Sequence, residues 1–184
     1  MSRALACTVA VLLSALTTLA SAQTADFRPV TDQMLANPSP SDWLMINRTY
    51  DEQRFSPLDQ INRENVRQLQ LAWARGMAAG TNETIPIVYQ GVMYAVSPGA
   101  GVLALDATNG DLIWEYSRDY PKEMTDFIGA PTAAREKGLA IYEDMIFFEA
   151  PDGFLVALDA RTGKPRWERK VQDYKELTQS TSAP

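Results

Sequence analysis

Ala104-Leu105-Asp106-Ala107-Thr108-Asn109-Gly110-Asp111-Leu112-Ile113-Trp114 and Ala157-Leu158-Asp159-Ala160-Arg161-Thr162-Gly163-Lys164-Pro165-Arg166-Trp167 share one pattern, Ala-Leu-Asp-Ala-x-x-Gly-x-x-x-Trp, at a spacing of 53 residues (106 to 159, 110 to 163, 114 to 167). The register extends upstream, where Val92-Met93-Tyr94 fall opposite Met145-Ile146-Phe147, and downstream, where Glu115 falls opposite Glu168. A fixed period with apolar strands inside it is the signature of a repeat array.

Each unit reads as a strand, a tight turn and a second strand. Val102 to Asp106 and Leu155 to Asp159 are short apolar runs ending in an acid whose carboxylate can accept turn amides. Gly110 and Gly163 supply a residue able to take positive φ. The following strands, Leu112 to Tyr116 and Pro165 to Lys170, each carry a tryptophan too large for one thin sheet to bury. A second copy alongside can cover it. Upstream of each unit lies another hairpin: Ile85 to Tyr89 and Val92 to Val96 flank Gln90-Gly91, and Leu139 to Tyr142 and Met145 to Phe148 flank Glu143-Asp144. Four strands per unit predict an all-β partial propeller of four-stranded antiparallel blades rather than a β-sandwich with two chance hairpins. Ser117 to Pro131 is then an insertion that lengthens the period.

Closed propellers need about four blades or more, and two complete ones are legible. Trp73 ends the apolar run Val66 to Trp73 without the preceding Asp and Gly, as the closing strand of an incomplete blade would. The chain is therefore expected to be the N-terminal piece of a larger protein, organised as 1–22 signal peptide, 23–61 lead-in with short helices, and 62–184 truncated propeller repeats. Asp26 to Pro40 reads as a short helix plus extended chain, and Asn62 to Val66 as one helical turn with Asn62 as N-cap. The arginines and aromatics of Trp43 to Phe55 are expected to pin a non-repetitive segment against the core, the other reading being a cation–π binding patch.

Arg3, the apolar run Ala4 to Leu19 and Ala20-Ser21-Ala22 before Gln23 form a secretory signal, with an apolar stretch shorter than the ~20 residues of a membrane span. A periplasmic location is expected. The 184-residue chain has one cysteine, Cys7, inside that segment, and no histidine, which excludes disulfides, His-based triads and His or Cys zinc sites from this sequence. Its net charge of −6, with no clustered basic face, excludes nucleic acid as an expected partner.

Ser41-Asp42-Trp43, Arg54-Phe55-Ser56-Pro57-Leu58-Asp59-Gln60-Ile61-Asn62, Asn65-Val66, Leu71-Ala72-Trp73, Glu83-Thr84-Ile85-Pro86 and the repeat itself resemble the opening of the pyrroloquinoline quinone (PQQ) dependent alcohol dehydrogenases of the methanol and ethanol type. The resemblance runs from about Ser41 to Pro184. It implies about two blades of an eight-bladed periplasmic parent that oxidises a primary alcohol by hydride transfer to PQQ, with cytochrome c as electron acceptor. It also implies a Ca²⁺ or lanthanide Lewis acid and an aspartate base, whose residues fall beyond Pro184. No catalytic or metal-binding residue is then expected in this chain, which by itself is expected to be inactive.

Three cofactor residues carry over by motif. Glu83, three residues before Pro86, is similar to the glutamate that contacts the quinone, and Thr181, three before Pro184, to a threonine that reaches a PQQ carboxylate. Lys137, before Gly138-Leu139-Ala140, stands where the family has arginine; lysine keeps the charge but loses the bidentate fork, and Arg135 is an alternative nearby. The family's vicinal cysteine pair is missing near Pro131 and Thr132, which implies a sub-branch. The alternative function is a non-catalytic propeller scaffold of the outer-membrane assembly type, whose lipid-bearing cysteine has no counterpart after Ala22.

Overall fold

The computed structural model describes residues 26–99, 101–130, 137–177 and 183–184. The repeat becomes two four-stranded antiparallel meanders, β1 (Ile87–Tyr89), β2 (Val92–Ser97), β3 (Gly101–Asp106) and β4 (Leu112–Tyr116), then β5 (Ala140–Tyr142), β6 (Met145–Ala150), β7 (Phe154–Asp159) and β8 (Pro165–Lys170). Each sheet keeps sequence order, and both third strands slip register at the same place, between Ala104 and Leu105 and between Ala157 and Leu158. β1 starts at Ile87 rather than Ile85 because Pro86 has no N–H to give a ladder.

The hairpins turn where the sequence places them. Gln90 and Gly91 take φ of 48° and 78°, and Glu143 takes 51°, the left-handed geometry of tight hairpin loops. In the β3–β4 turn Asp106 Oδ1 accepts the Thr108 amide at 2.8 Å and hydroxyl at 2.6 Å. Asp159 repeats this with the Arg161 and Thr162 amides, both at 3.0 Å.

The blades stack through their tryptophans. Trp114 donates Nε1–H to the Ala160 carbonyl of the next blade at 3.0 Å and lies flat on Gly163, where a Cβ would stand 2.5 Å from the indole Cε3. Trp73 does the same one unit earlier, with Nε1 3.1 Å from the Ala107 carbonyl and its ring over Gly110. Each glycine is therefore required twice, for positive φ and for a side-chain-free floor. Around this seam Val102, Ala104, Ile146, Phe148, Val156 and Leu158 are fully buried in one core that spans both blades. Tyr116 of the first blade meets Phe148 of the second edge-on, with centroids 5.6 Å apart.

Two expectations need correction. Val66 to Trp73 is not a strand: it holds a single 3₁₀ turn, Val66–Gln68, and otherwise irregular chain, with Leu69 and Leu71 exposed. Its backbone finds no ladder partner among the described residues, although Trp73 docks as a closing strand's tryptophan would. Asn62 caps the turn expected of it, its Oδ1 accepting the Glu64 and Asn65 amides and its carbonyl the Val66 amide at 2.9 Å, and the 3₁₀ turn follows at Val66. Trp167 remains 41% exposed against 8% for Trp114, because no glycine floor lies against it among the described residues.

The lead-in runs along the inner strands. Helix α1 (Asp32–Ala36) is capped by Thr31 Oγ1. Val30 bridges Glu143, Trp43 bridges Val88, and Leu44 is buried. Pinning holds for Trp43 and Leu44, while Tyr50 and Phe55 stay exposed. The insertion after β4 forms a 3₁₀ turn (Lys122–Met124) and helix α2 (Thr125–Ile128), anchored by fully buried Met124. Residues 1–22, expected to be a signal peptide and including Cys7, lie outside the described residues.

Candidate cofactor-binding rim

The antiparallel meander fixes which loops share a rim. Strand β1 runs away from Ile85 and β2 returns, so Glu83, the β2–β3 turn, the insertion after β4 and Lys137 all lie at one end of the blades. The hairpins at Gln90 and Glu143 lie at the other. At the first rim the inner edges of the two blades meet directly. Ile85 bridges Gly138 in parallel, and the Ile85 amide donates to the Lys137 carbonyl at 2.6 Å.

Glu83 is thus two residues from the bridge and Lys137 is next to it, both exposed on the same rim. The Thr84 hydroxyl between them accepts the Val96 amide at 3.0 Å, which fixes the segment carrying Glu83. Thr181, Arg135 and the positions of the missing cysteine pair lie outside the described residues. A Cβ at Gly138 would stand 3.2 Å from the Ala183 Cβ and 3.4 Å from Ile46. The starts of the two inner strands therefore meet at Gly138, where a side chain would crowd Ala183 and Ile46.

An acid and a cation on this rim suit a planar quinone bearing carboxylates: Lys137 can pair with a carboxylate and Glu83 can accept an N–H. No group of three or more His, Cys, Asp or Glu placed to hold a metal occurs among the described residues.

Sequence reading missed two charged clusters. Arg118, at the start of the insertion, donates Nε–H to Asp152 Oδ2 at 2.8 Å and Nη1–H to Glu168 Oε2 at 2.5 Å, and lies 4.8 Å over the Phe154 ring. Burial alone would lower its pKa, but the bonds to Glu168, Tyr116 and Asp152 raise it. It ties the tail of one blade to the β6–β7 turn of the next. The signal was the replacement of Gly99 by Asp152 at the 53-residue register (99 to 152). The insertion is further held by Phe127 packing edge-on to Tyr174, 5.8 Å between centroids.

At the opposite end Arg166 and Arg161 pair with Asp159 Oδ2, at 2.5 and 3.3 Å, and with Asp144. Burial raises the Asp159 pKa, but the bonds from Arg166, Arg161 and Thr162 outweigh it and hold the carboxyl at about 2.

Relatives agree with this architecture. The dehydrogenase subunit of the quinone alcohol dehydrogenase of Gluconobacter oxydans is 40% identical over 166 residues, covering 90% of this chain and 22% of the relative. The quinohemoprotein alcohol dehydrogenase ADH-IIG of Pseudomonas putida is 39% identical over 151 residues, 81% of this chain and 21% of the relative. Its solved structure superposes with a TM-score of 0.77 at 36% identity, covering 87% of this chain and 24% of that one. A europium-containing methanol dehydrogenase superposes with a TM-score of 0.73 at 31% identity, over 84% of this chain and 27% of the other. The chain thus spans about a fifth of the length of the curated relatives it matches. Residues 43–174 match the family described as the PQQ glucose/ethanol/alcohol dehydrogenase β-propeller domain, and the chain belongs to that family.

Proposed function

We propose that this chain provides the first two blades of a periplasmic quinoprotein that oxidises a primary alcohol, and that Glu83, Lys137 and Thr181 hold PQQ from the rim. The supporting observation is the parallel bridge from Ile85 to Gly138, which brings an acid and a cation to one rim at the start of adjacent inner strands. When bound, the quinone supplies the two-electron acceptor for the alcohol's hydride, with Ca²⁺ or a lanthanide as Lewis acid. The residues of this chain bind and orient. Lys137 neutralises a carboxylate of the cofactor, Glu83 accepts a hydrogen bond from its ring, and the Thr84 contact to Val96 keeps Glu83 from swinging away. The base and the metal ligands come from further repeats, and the electrons pass to a cytochrome c, in keeping with the haem named in the Pseudomonas relative.

Titration of PQQ into the 184-residue chain, followed by tryptophan fluorescence, tests the rim. Weak binding that falls at least fivefold in Lys137→Ala and Glu83→Ala is expected, without reduction of a phenazine dye on adding an alcohol. Binding equal in both variants and wild type would discard the assignment. Export predicts that the mature protein isolated from the periplasm begins at Gln23.

A further inference from the structure

Comparing the outward faces of the two blades row by row, at the 53-residue register, shows where they differ. One row is kept: Tyr94, Ala104 and Trp114 lie across the first sheet, and Phe147, Ala157 and Trp167 across the second. The ring pairs match as well, Tyr94–Trp114 at 5.9 Å and Phe147–Trp167 at 5.8 Å. The adjoining row is not kept. In the first blade it is Val96, Val102 and Tyr116, an apolar strip that receives Phe148 of the next blade through Tyr116. In the second it is Glu149, Leu155 and Arg169.

Glu149 Oε2 is buried and has no hydrogen-bond partner among the described residues. Arg169 lies two strands away, roughly 10 Å from strand spacing, and no ion pair joins them. Burial pushes the Glu149 carboxyl above its usual range, with no compensating contact. A carboxylate held in a half-covered apolar face is costly unless whatever completes the face brings it a partner.

We propose that the outer face of the second blade receives a third repeat unit that presents a cationic side chain to Glu149, at the position Phe148 holds in the second blade. Continuity with the seam between the first two blades identifies the occupant as a repeat of the same kind, its glycine lying under Trp167. The change from Val96 to Glu149 sets its chemistry: a phenylalanine suits the first seam, and at the second it would strand a carboxylate. The charged row makes the seams non-equivalent, so that a second-blade unit cannot occupy the third position with equal affinity.

The full chain extended by a copy of its own residues 137–177 tests this, in one version with the copied Phe148 kept and in another with it changed to Arg. Docking is read from urea midpoints and from the emission shift of Trp167. The Arg version is expected to dock at least tenfold more favourably on wild-type Glu149, and the order to invert when the acceptor blade carries Glu149→Val. Equal or better docking of the Phe version on wild-type Glu149 would overturn the proposal. A second observation is independent of folding. In the gene's next Ala-Leu-Asp repeat, Arg or Lys at the position matching Phe148 supports the proposal, and an apolar residue there overturns it. Neither result depends on PQQ binding or dehydrogenase activity.

Discussion

Gly163→Ala is the sharpest probe of how the blades are joined. Gly163 has φ of 69°, and a Cβ there would lie 2.5, 2.7 and 3.1 Å from Cε3, Cδ2 and Cζ3 of Trp114. Two costs combine: about 1–2 kcal/mol for a left-handed backbone with a Cβ, and about 1–3 kcal/mol for overpacking a rigid ring. If the ring yields, the Trp114 bond to the Ala160 carbonyl goes with it, again about 1 kcal/mol. The expected loss is therefore about 2–5 kcal/mol. Gly91→Ala is the matched control, because Gly91 has φ of 78° but nothing within 4 Å of its would-be Cβ; it is expected to lose only about 1–2 kcal/mol. Urea unfolding followed by tryptophan emission, at concentrations too low for association, measures both. Placing Gly163→Ala in a Trp114→Ala background should bring its cost down to that of Gly91→Ala. Equal costs for the two glycines in the wild-type background, or a Gly163→Ala cost unchanged without the indole, would refute the docking account.

Arg118→Met should destabilise by about 3 kcal/mol, because Asp152 is left buried with its charge unpaired, and adding Asp152→Asn should recover most of the loss in the same urea assay. Acid titration should reveal Asp159. Its carboxyl is held at about 2, below its unfolded value, so its contribution is full above pH ~4 and is lost as pH falls through 2. Screening by solvent at the half-exposed arginines limits this to about 1–2 kcal/mol, and Asp159→Asn should flatten the thermal melting curve's dependence on pH in that window. The outer face around Trp167, which is 41% exposed, should make the chain associate at high concentration. Trp167→Lys is expected to shift light scattering toward the monomer, and an unchanged particle size would contradict this.

Most of the blade architecture was legible because it is local and repeated. Hairpin positions, turn residues and the two-blade count follow from apolar runs, left-handed turn positions and one period; Leu112–Tyr116 and Pro165–Lys170 match to the residue, and the other strands shift by one or two residues at their ends. The stretch before Trp73 was misread as a strand because an apolar run looks the same whether or not a ladder partner exists. Of the rim, Glu83 and Lys137 were named from resemblance, but nothing in their 54-residue separation (83 to 137) says that their strands touch. The Arg118–Asp152 tie, 34 residues apart, was invisible for the same reason.

The sequence by itself determined the repeat: which segments pair as hairpins, which glycines must bend the chain, and which tryptophans need a neighbour, since these depend on a residue's own backbone and its immediate periodicity. Only the tertiary structure decided which neighbour Trp73 and Trp114 have, that Ile85 and Gly138 bring Glu83 and Lys137 to one rim, and that Glu149 Oε2 finds no partner among the described residues. Those depend on how two sheets stack, and stacking is set by surfaces distant in sequence that no local pattern encodes.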